Sequence, residues 1–197
     1  MRPGPGGRSP GPGGASAPPD DHDLGMTAVR LVLATLLVTL VTSAGAGAAG
    51  TALYRIQRVV DGDTVDLTSG ERVRLVQIDT PEVYPTAECY GPQASRATER
   101  LLPRGTVVRL APEPATDLVD SYGRLLRYVI RAHDGVNVNL RLVAAGAAAP
   151  YFYRGRHGRY AATIVSLARH ARAARLGLWG ACPRTPYNPT AGVATLR

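Results

Sequence analysis

Three acidic residues and one arginine occupy a short central stretch of the sequence. Asp63, Asp79 and Glu82 supply carboxylates, and Arg74 lies between the first two of them in the chain. Carboxylate oxygens are ligands that hard divalent cations prefer, and a guanidinium matches the oxygens of a phosphate group. These side chains, if the fold brings them together, predict a divalent-metal site that acts on a phosphate. An EF-hand is excluded, because Val65 stands at the third ligand position.

The hydrophobic pattern predicts how these residues meet. Residues 60–67 and 72–78 form two alternating, β-rich runs joined by a polar turn that contains a glycine, which predicts an antiparallel hairpin. Asp63 opens one strand and Asp79 closes the next, so the pairing brings both carboxylates to the same end. Pro81 cannot donate a hydrogen bond to a strand partner, so it ends the strand and leaves the following glutamate on a loop.

The rest of the chain predicts a small barrel with a few helices. Strands are expected at 53–60, 64–67, 72–78, 106–110 and 125–131, and helices at 91–102, 137–145 and 159–174. This order indicates a mainly β fold with helices (α+β), a five-stranded Greek-key barrel of OB type with about three α-helices. Trp179 is expected to fill the core beside the last helix. Barrels of this type often bind nucleic acids.

The basic residues are unevenly distributed. All 23 of them are arginine, and the formal net charge is +8. From Gly135 to the C terminus the chain has nine arginines and no Asp or Glu. Such one-sided basicity favours a polyanionic partner, either nucleic acid or an anionic membrane surface. A solubilising role is the alternative for any single arginine, but it explains the acid-free part poorly.

The N-terminal part of the sequence predicts targeting rather than a folded domain. Residues 1–25 are rich in Gly and Pro and predict a disordered extension, unless Met26 is the true start. Residues 26–48 combine an arginine, an apolar core at 31–41 and an Ala-x-Ala pattern, the layout of a secretory signal peptide. The alternative is an uncleaved membrane anchor, facing outside, with membrane association through residues 26–49.

The two cysteines lie in the expected mature domain. Cys89 and Cys182 both fall within residues 49–182, and a flexible tail is expected over 183–197. Export would place the cysteines in an oxidising compartment. A disulfide between them would contribute about 4–5 kcal/mol in the chain-entropy model, less any strain. Two unpaired thiols are the alternative, and their spacing does not fit a metal-ligand motif.

Four ordered motifs carry a family resemblance. They are Asp61-Gly62-Asp63-Thr64, Arg74-Leu-x-x-Ile-Asp79-Thr80-Pro81-Glu82, Tyr90-Gly91-Pro92-x-Ala94-Ser95 and Asp120-x-Tyr122-Gly123-Arg124. In order and spacing they resemble the staphylococcal-nuclease (thermonuclease) family, and the similarity runs roughly from Leu53 to Cys182. The resemblance implies an OB-fold barrel with three helices. It also implies calcium-dependent hydrolysis of DNA and RNA that leaves 3′-phosphate ends.

The resemblance assigns a role to each matched acidic position. Asp63 and Asp79 would be the carboxylate ligands of one calcium ion, and the backbone carbonyl of Thr80 would be a third ligand. Asp61 would reach the ion through water, although a simple turn is the alternative for this residue. Glu82 would orient or deprotonate the attacking water, and the sequence leaves both of these roles open.

The resemblance also implies the substrate contacts. Arg74 and Arg124 would grip the scissile phosphate, with an ordinary surface charge as the alternative for Arg124. Tyr122, Tyr151 and Tyr153 would form the walls of a nucleotide pocket. A core position is the alternative for each of the last two tyrosines.

Two departures from the family pattern concern substrate binding. The loop between Glu82 and Tyr90 is short and has no basic residue, whereas the family's type enzyme has a longer basic loop there. Ser121 stands where that enzyme has a lysine that helps bind a terminal phosphate. Three arginines that follow the pocket tyrosines are candidates to replace this charge: Arg154, Arg156 and Arg159.

The resulting prediction is a secreted, calcium-dependent, sugar-nonspecific endonuclease that hydrolyses the phosphodiester bonds of DNA and RNA. We expect a monomer without an obligate protein partner. The first alternative is a non-catalytic OB-fold module that binds nucleic acid or peptide. Such a module would be expected to lose at least one of five residues that this chain keeps: Asp63, Arg74, Asp79, Glu82 and Arg124. The second alternative is a protein of the membrane surface.

Overall fold

The computed structural model describes residues 52–189, which belong to one compact unit. The strands are β1 (Leu53–Val59), β2 (Thr64–Leu67), β3 (Arg72–Leu75), β4 (Ile78–Asp79), β5 (Val107–Pro112), β6 (Leu125–Arg131) and β7 (Ala149–Pro150). The helices are α1 (Gly91–Leu101), α2 (Val138–Ala144), α3 (Ala161–Ala173) and the short α4 (Leu178–Ala181), with a 3-10 turn at Tyr153–Gly155.

Five strands close into a barrel in the order β1-β2-β3-β6-β5. Neighbouring strands are antiparallel except β3 and β6, which pair in parallel and complete the closure. Alternate residues of the strands point inward, so that Ile56, Val65, Leu75 and Val108 are fully buried in the core. The predicted five-stranded barrel with about three main helices is therefore confirmed, and Trp179 packs into the core as expected.

The prediction of one continuous strand over residues 72–78 is wrong. The structure divides it into β3 and β4, because Gln77 adopts a left-handed backbone conformation with φ of 66°. An L-residue pays roughly 1–2 kcal/mol for this conformation. The Gln77 side chain offsets the cost with hydrogen bonds, since its Nε2 donates to the Arg156 carbonyl at 2.8 Å and its Oε1 accepts from the Gly158 N–H at 3.0 Å. The strand β4 then pairs with β7 instead of continuing the barrel.

Helix α1 packs against the turn that precedes β2. Its buried face includes Ala94, Ala97 and Thr98. The Thr98 hydroxyl donates a hydrogen bond of 2.5 Å to the carbonyl of Gly62. A Cβ at Gly62 would lie 2.4 Å from Oγ1 of Thr80, so only glycine allows this turn to approach the segment after β4. The helix and the glycine together fix the turn that carries the first acidic motif.

A buried asparagine ties α2 to the barrel. Asn139 is fully buried; its Nδ2 donates to the Val76 carbonyl at 2.9 Å, and its Oδ1 accepts from the Val129 N–H at 3.0 Å. The side chain thus satisfies two backbone groups where β3 ends beside β6. The α2 helix begins after Asn137, whose side chain caps it by accepting from the Leu140 N–H.

Replacement of Asn139 by alanine is expected to lower the free energy of unfolding by about 2–4 kcal/mol. The reason is that two buried backbone groups lose their partner, at about 1–3 kcal/mol for each unsatisfied group. Urea denaturation followed by circular dichroism would measure the change. The exposed Ser166→Ala variant on α3 is the control and should stay within about 0.5 kcal/mol of wild type. An Asn139→Ala protein as stable as wild type would contradict this role.

The segments predicted at the two ends of the chain are only partly described. The extension and the signal peptide or anchor, residues 1–48, lie outside residues 52–189, and so does the tail beyond residue 189. Among the helices of residues 52–189, none is long and apolar enough to cross a membrane. Within the described part, Cys89 and Cys182 are joined by a disulfide, with their Cα atoms 5.9 Å apart.

Candidate active site

An arginine joins the two central carboxylates at one end of the β2–β3 hairpin. The register pairs Thr64 with Arg74, which places the arginine beside Asp63. Nη2 of Arg74 lies 2.6 Å from Asp79 Oδ1 and 3.3 Å from Asp63 Oδ2. All three side chains are nearly buried, and the opposite charges hold the pKa of Arg74 above its ordinary value against the opposing effect of burial. Asp63, Arg74 and Asp79 therefore meet as expected, but Asp79 is brought there by β4 and not by the hairpin strand β3.

Hydrogen bonds fix the orientation of the Asp63 carboxylate. Its Oδ2 accepts from the backbone N–H of Thr80 at 3.0 Å and from the Thr80 hydroxyl at 3.4 Å. Its Oδ1 accepts from the hydroxyl of Thr64 at 3.1 Å. The segment that follows β4 is therefore docked on the turn that precedes β2, and this places Thr80 next to the carboxylates.

Negative charge is concentrated at this end of the barrel. Burial and the neighbouring charge of Asp63 raise the pKa of Asp61 to about 6. Asp61 Oδ1 also accepts a hydrogen bond from the N–H of Asp63 at 3.1 Å, which fixes the turn. A carboxyl group whose charge is disfavoured in this way marks a place where a cation would be favoured.

The acidic residues and both arginines open onto one cleft of about 830 Å³. Glu82 reaches it from the loop after β4, and Arg124 from the turn before β6. Eight of the ten residues predicted for the metal, the chemistry and the nucleotide line this cleft: Asp61, Asp63, Arg74, Asp79, Glu82, Tyr122, Arg124 and Tyr151. The remaining two are Thr80, which contacts Asp63, and Tyr153, which lies in an adjoining cleft.

A tight turn holds Arg124 at the rim of the cleft. Nε of Arg124 donates to Asp120 Oδ2 at 2.6 Å, and the N–H groups of Tyr122 and Arg124 both donate to Asp120 Oδ1 at 2.9 Å. Although burial acts to raise the pKa of Asp120, these hydrogen bonds lower it overall. Asp120 is thus an ionised anchor that orients Arg124, and this role was not predicted from the sequence.

The three predicted tyrosines line an adjoining cleft of about 450 Å³. The rings of Tyr151 and Tyr153 stack with centroids 6.5 Å apart, and the Tyr122 side chain is 83% exposed. The guanidinium of Arg74 lies 5.2 Å from the centre of the Tyr151 ring, and that of Arg124 lies 5.4 Å from the Tyr122 ring. Neither Tyr151 nor Tyr153 belongs to the buried core, so their rings are accessible to a ligand.

The arginines after the tyrosines differ in their surroundings. Arg156 pairs with Asp117 at 3.0 Å, and Arg159 pairs with the buried carboxylate of Glu113 at 3.3 Å. The guanidinium of Arg154 stacks over Tyr153 at 5.1 Å, and both Arg154 and Arg156 line the adjoining cleft. Arg159 does not line either cleft, so the structure brings two of the three candidate arginines to the tyrosines.

A buried network anchors the loop that carries these tyrosines. The Tyr128 hydroxyl donates to Gln77 Oε1 at 3.2 Å and lies 3.3 Å from Glu113 Oε2. Glu113 also accepts from the N–H of Arg159, and Gln77 from that of Gly158. This network could not be predicted from the sequence, because its members come from four separate segments of the chain and share no local spacing.

The donor set fits calcium better than it fits a softer metal. Within residues 52–189, no three Asp, Glu, His or Cys side chains form a cluster able to hold an ion alone. Calcium accepts six to eight oxygen ligands in flexible geometry, so Asp63 and Asp79 need only contribute part of the shell beside a backbone carbonyl, water and phosphate. The pKa of Asp61 is raised first by burial and then by the charge of Asp63, and a cation nearby would oppose both effects.

The closed barrel and the cleft define an OB-fold protein whose site combines carboxylates with arginines. A family model described as "Staphylococcal nuclease homologue" matches residues 72–181. The chain is 35% identical over 132 residues to thermonuclease of Staphylococcus intermedius, covering 64% of this chain and 75% of that protein. It is 32% identical over 164 residues to micrococcal nuclease of Shigella flexneri, covering 78% and 86%.

A third relative is larger. A segment of 109 residues is 38% identical to "Endonuclease YhcR" of Bacillus subtilis (strain 168); it covers 49% of this chain but only 9% of that protein. These similarities confirm the resemblance seen in the four motifs. The chain belongs to the family of staphylococcal nuclease homologues.

Proposed function

We propose that this protein is a calcium-dependent, sugar-nonspecific endonuclease that hydrolyses DNA and RNA to products with 3′-phosphate ends. Membership of the family and the printed names of its relatives support a nuclease, a hydrolase of phosphodiester bonds. The finer statements on calcium, on both nucleic acids and on the product ends rest on the residues matched to the family.

One observation carries the proposal. The carboxylates of Asp63, Asp79 and Glu82 meet Arg74 and Arg124 in a single cleft, although 61 positions separate the first from the last in the chain (124 minus 63). A non-catalytic OB-fold module would need a basic or aromatic surface but not this acidic cluster, because carboxylates repel phosphate. The combination therefore favours chemistry at a phosphate over binding alone.

The chain supplies distinct groups for each part of the reaction. Asp63, Asp79 and the Thr80 carbonyl would hold the ion, with Asp61 reaching it through water. When bound there, calcium supplies a Lewis acid that polarises a phosphoryl oxygen. Glu82, at the same cleft, orients an attacking water or accepts its proton.

The two arginines and the tyrosines act on the substrate. Arg74 and Arg124 remain charged at any working pH and donate to the phosphate oxygens as negative charge grows in the transition state. The stacked rings of Tyr151 and Tyr153 and the exposed ring of Tyr122 give faces on which a base can stack, which does not select a base or a sugar.

We also propose that the protein is exported and acts outside the cell as a monomer. The support is the signal-like pattern of residues 26–48 and the disulfide between Cys89 and Cys182, since disulfides persist in oxidising compartments. A membrane-anchored form facing outside is the alternative. The mass of the mature protein distinguishes the two, because an anchored form would keep the apolar segment.

Cleavage of supercoiled plasmid tests the nuclease proposal. We expect the full chain to nick and linearise plasmid with added Ca²⁺, and to lose activity in excess EDTA. The Glu82→Ala/Arg124→Ala double variant should lose at least about a thousandfold in rate, because a base and a phosphate donor are removed together. A parallel assay with single-stranded RNA, and end-labelling of the products, test substrate range and 3′-phosphate ends.

The matched control is Glu99→Ala/Arg100→Ala, which removes the same side-chain types from the exposed face of α1. This control should cleave at the wild-type rate. Binding of plasmid without cleavage, in calcium, magnesium and manganese alike, would refute the enzyme and leave a binding module. Equal cleavage by wild type and the active-site variant would refute the assigned site.

A further inference from the structure

The loop that carries Glu82 is closed by a second glutamate. The N–H of Glu82 donates to Glu88 Oε2 at 2.9 Å, and the N–H of Glu88 donates to the Glu82 carbonyl at 2.9 Å. A Cβ at Gly91 would lie 2.2 Å from that same carbonyl oxygen, so α1 begins in direct contact with the Glu82 backbone. The position of the Glu82 main chain therefore depends on where Glu88 is held.

The C-terminal segment holds Glu88 from its other side. The hydroxyl of Tyr187 donates to Glu88 Oε2 at 3.2 Å, and the next residue, Cys89, is bonded to Cys182. The Tyr187 ring is half-buried and packs against the core. Residues 182–189, hereafter the C-terminal strap, are thus joined to Cys89 by a disulfide and to the neighbouring Glu88 by a hydrogen bond.

We propose that the C-terminal strap is a positioning element for Glu82 and that Glu88 transmits its effect. The inference rests on the proposed function, which makes Glu82 the group that acts on water. Neither Glu88 nor any strap residue lines the two clefts, so they do not touch substrate. They fix the backbone of the residue that does.

This arrangement explains how the short loop can hold Glu82 in a fixed position. Residues 83–87 lie between Glu82 and its anchor, four of them exposed, so they contribute little buried surface to hold the loop in place. The side chains that would grip the substrate, such as Arg74 and Arg124, come from other elements of the fold. Loss of the strap contact should therefore lower kcat and leave KM unchanged, because only the placement of Glu82 is affected.

Steady-state cleavage by full-length variants tests the inference. We expect Glu88→Ala to lower kcat about ten- to a hundredfold with KM within about twofold, since a misplacement of 1 Å can cost a factor of this size. Glu88→Gln should restore activity, because its amide oxygen accepts the same hydrogen bonds. Tyr187→Phe removes only the hydroxyl and should lower kcat about threefold or more. Glu99→Ala and Tyr54→Phe are the matched controls and should match wild type.

Amide hydrogen exchange separates this inference from the proposed function, because it requires no substrate. By NMR, the Glu82 N–H should exchange at least about tenfold faster in Glu88→Ala than in wild type or Glu88→Gln. Equal exchange in all three proteins would overturn the inference, whether or not the protein cleaves DNA. A wild-type kcat in Glu88→Ala, with activity abolished in Glu82→Ala, would also overturn it and leave the nuclease intact. An inactive wild type would refute the nuclease, and exchange alone would then decide whether Glu88 fixes the loop.

Discussion

Replacing Arg124 with alanine is expected to lower kcat/KM for plasmid cleavage about a hundredfold, because one fixed donor to the transition-state phosphate is worth about 3 kcal/mol. The free energy of unfolding should change by less than about 1 kcal/mol. The reason is that the side chains of Arg124 and Asp120 are 26% and 16% exposed, so water still screens this ion pair and limits its contribution to stability. The turn keeps the backbone hydrogen bonds that Asp120 accepts. Initial rates at several plasmid concentrations and urea denaturation measure the two quantities.

Two further variants make this prediction specific. Arg124→Lys keeps the charge but loses the planar fork, so it should recover only part of the activity. Arg131 is held by Asp134 in a similar local ion pair but lies outside both clefts. Arg131→Ala should therefore retain the wild-type rate. Near-wild-type cleavage by Arg124→Ala would show that this arginine does not act on the substrate.

The parts of the fold that follow from local pattern could be predicted from the sequence. The β2–β3 hairpin was predictable because alternating residues and a glycine turn fix which side faces the core. The hairpin register places Arg74 beside Asp63 as predicted, but Asp79 reaches them from β4, which pairs with β7 and not with the hairpin. The predicted strand at 125–131 has the same bounds in the structure.

The errors and omissions concern contacts that no local pattern encodes. The run over 72–78 reads as one strand, but Gln77 breaks it by taking a left-handed conformation that hydrogen bonds from distant residues sustain. Glu88 reads as an ordinary loop residue, and only the fold reveals that its carboxylate accepts hydrogen bonds from Glu82 and Tyr187. Asp120 was part of a matched motif, yet spacing alone did not reveal that it orients Arg124. In this chain the residues that position the predicted site groups were harder to predict than the groups themselves.

The short loop after Glu82 illustrates how one departure from the family pattern has two consequences. The loop lacks the basic residues of the type enzyme, so it cannot contribute positive charge to substrate binding. The same loop is closed by the hydrogen bond between Glu82 and Glu88, and the Cys89 disulfide joins it to the C-terminal strap. Arg154 and Arg156 line the adjoining cleft and are the candidates to replace this charge, with Arg156 already paired to Asp117.

Replacement of Arg74 by alanine is expected to reduce both stability and activity. The Arg74 side chain is 13% exposed and lies between Asp63 and Asp79, which are 8% and 9% exposed. Removing one partner of a buried ion pair costs about 3–5 kcal/mol of unfolding free energy, because charge is left buried and unpaired. The loss of this phosphate donor should also lower kcat/KM about a hundredfold. Arg74→Lys should keep most of the stability but little of the activity, which separates the two roles.

Calcium should stabilise the Arg74→Ala variant more than it stabilises wild type. In wild type the Arg74 guanidinium contacts both Asp63 and Asp79, so an ion bound there would compete with it, whereas the variant has no guanidinium to compete. A ligand that binds only the folded state raises the unfolding free energy as its affinity increases, so tighter binding appears as a larger shift. Urea denaturation of both proteins in calcium and in EDTA measures this difference. Equal shifts in the two proteins would contradict calcium binding at Asp63 and Asp79, even if cleavage requires the ion.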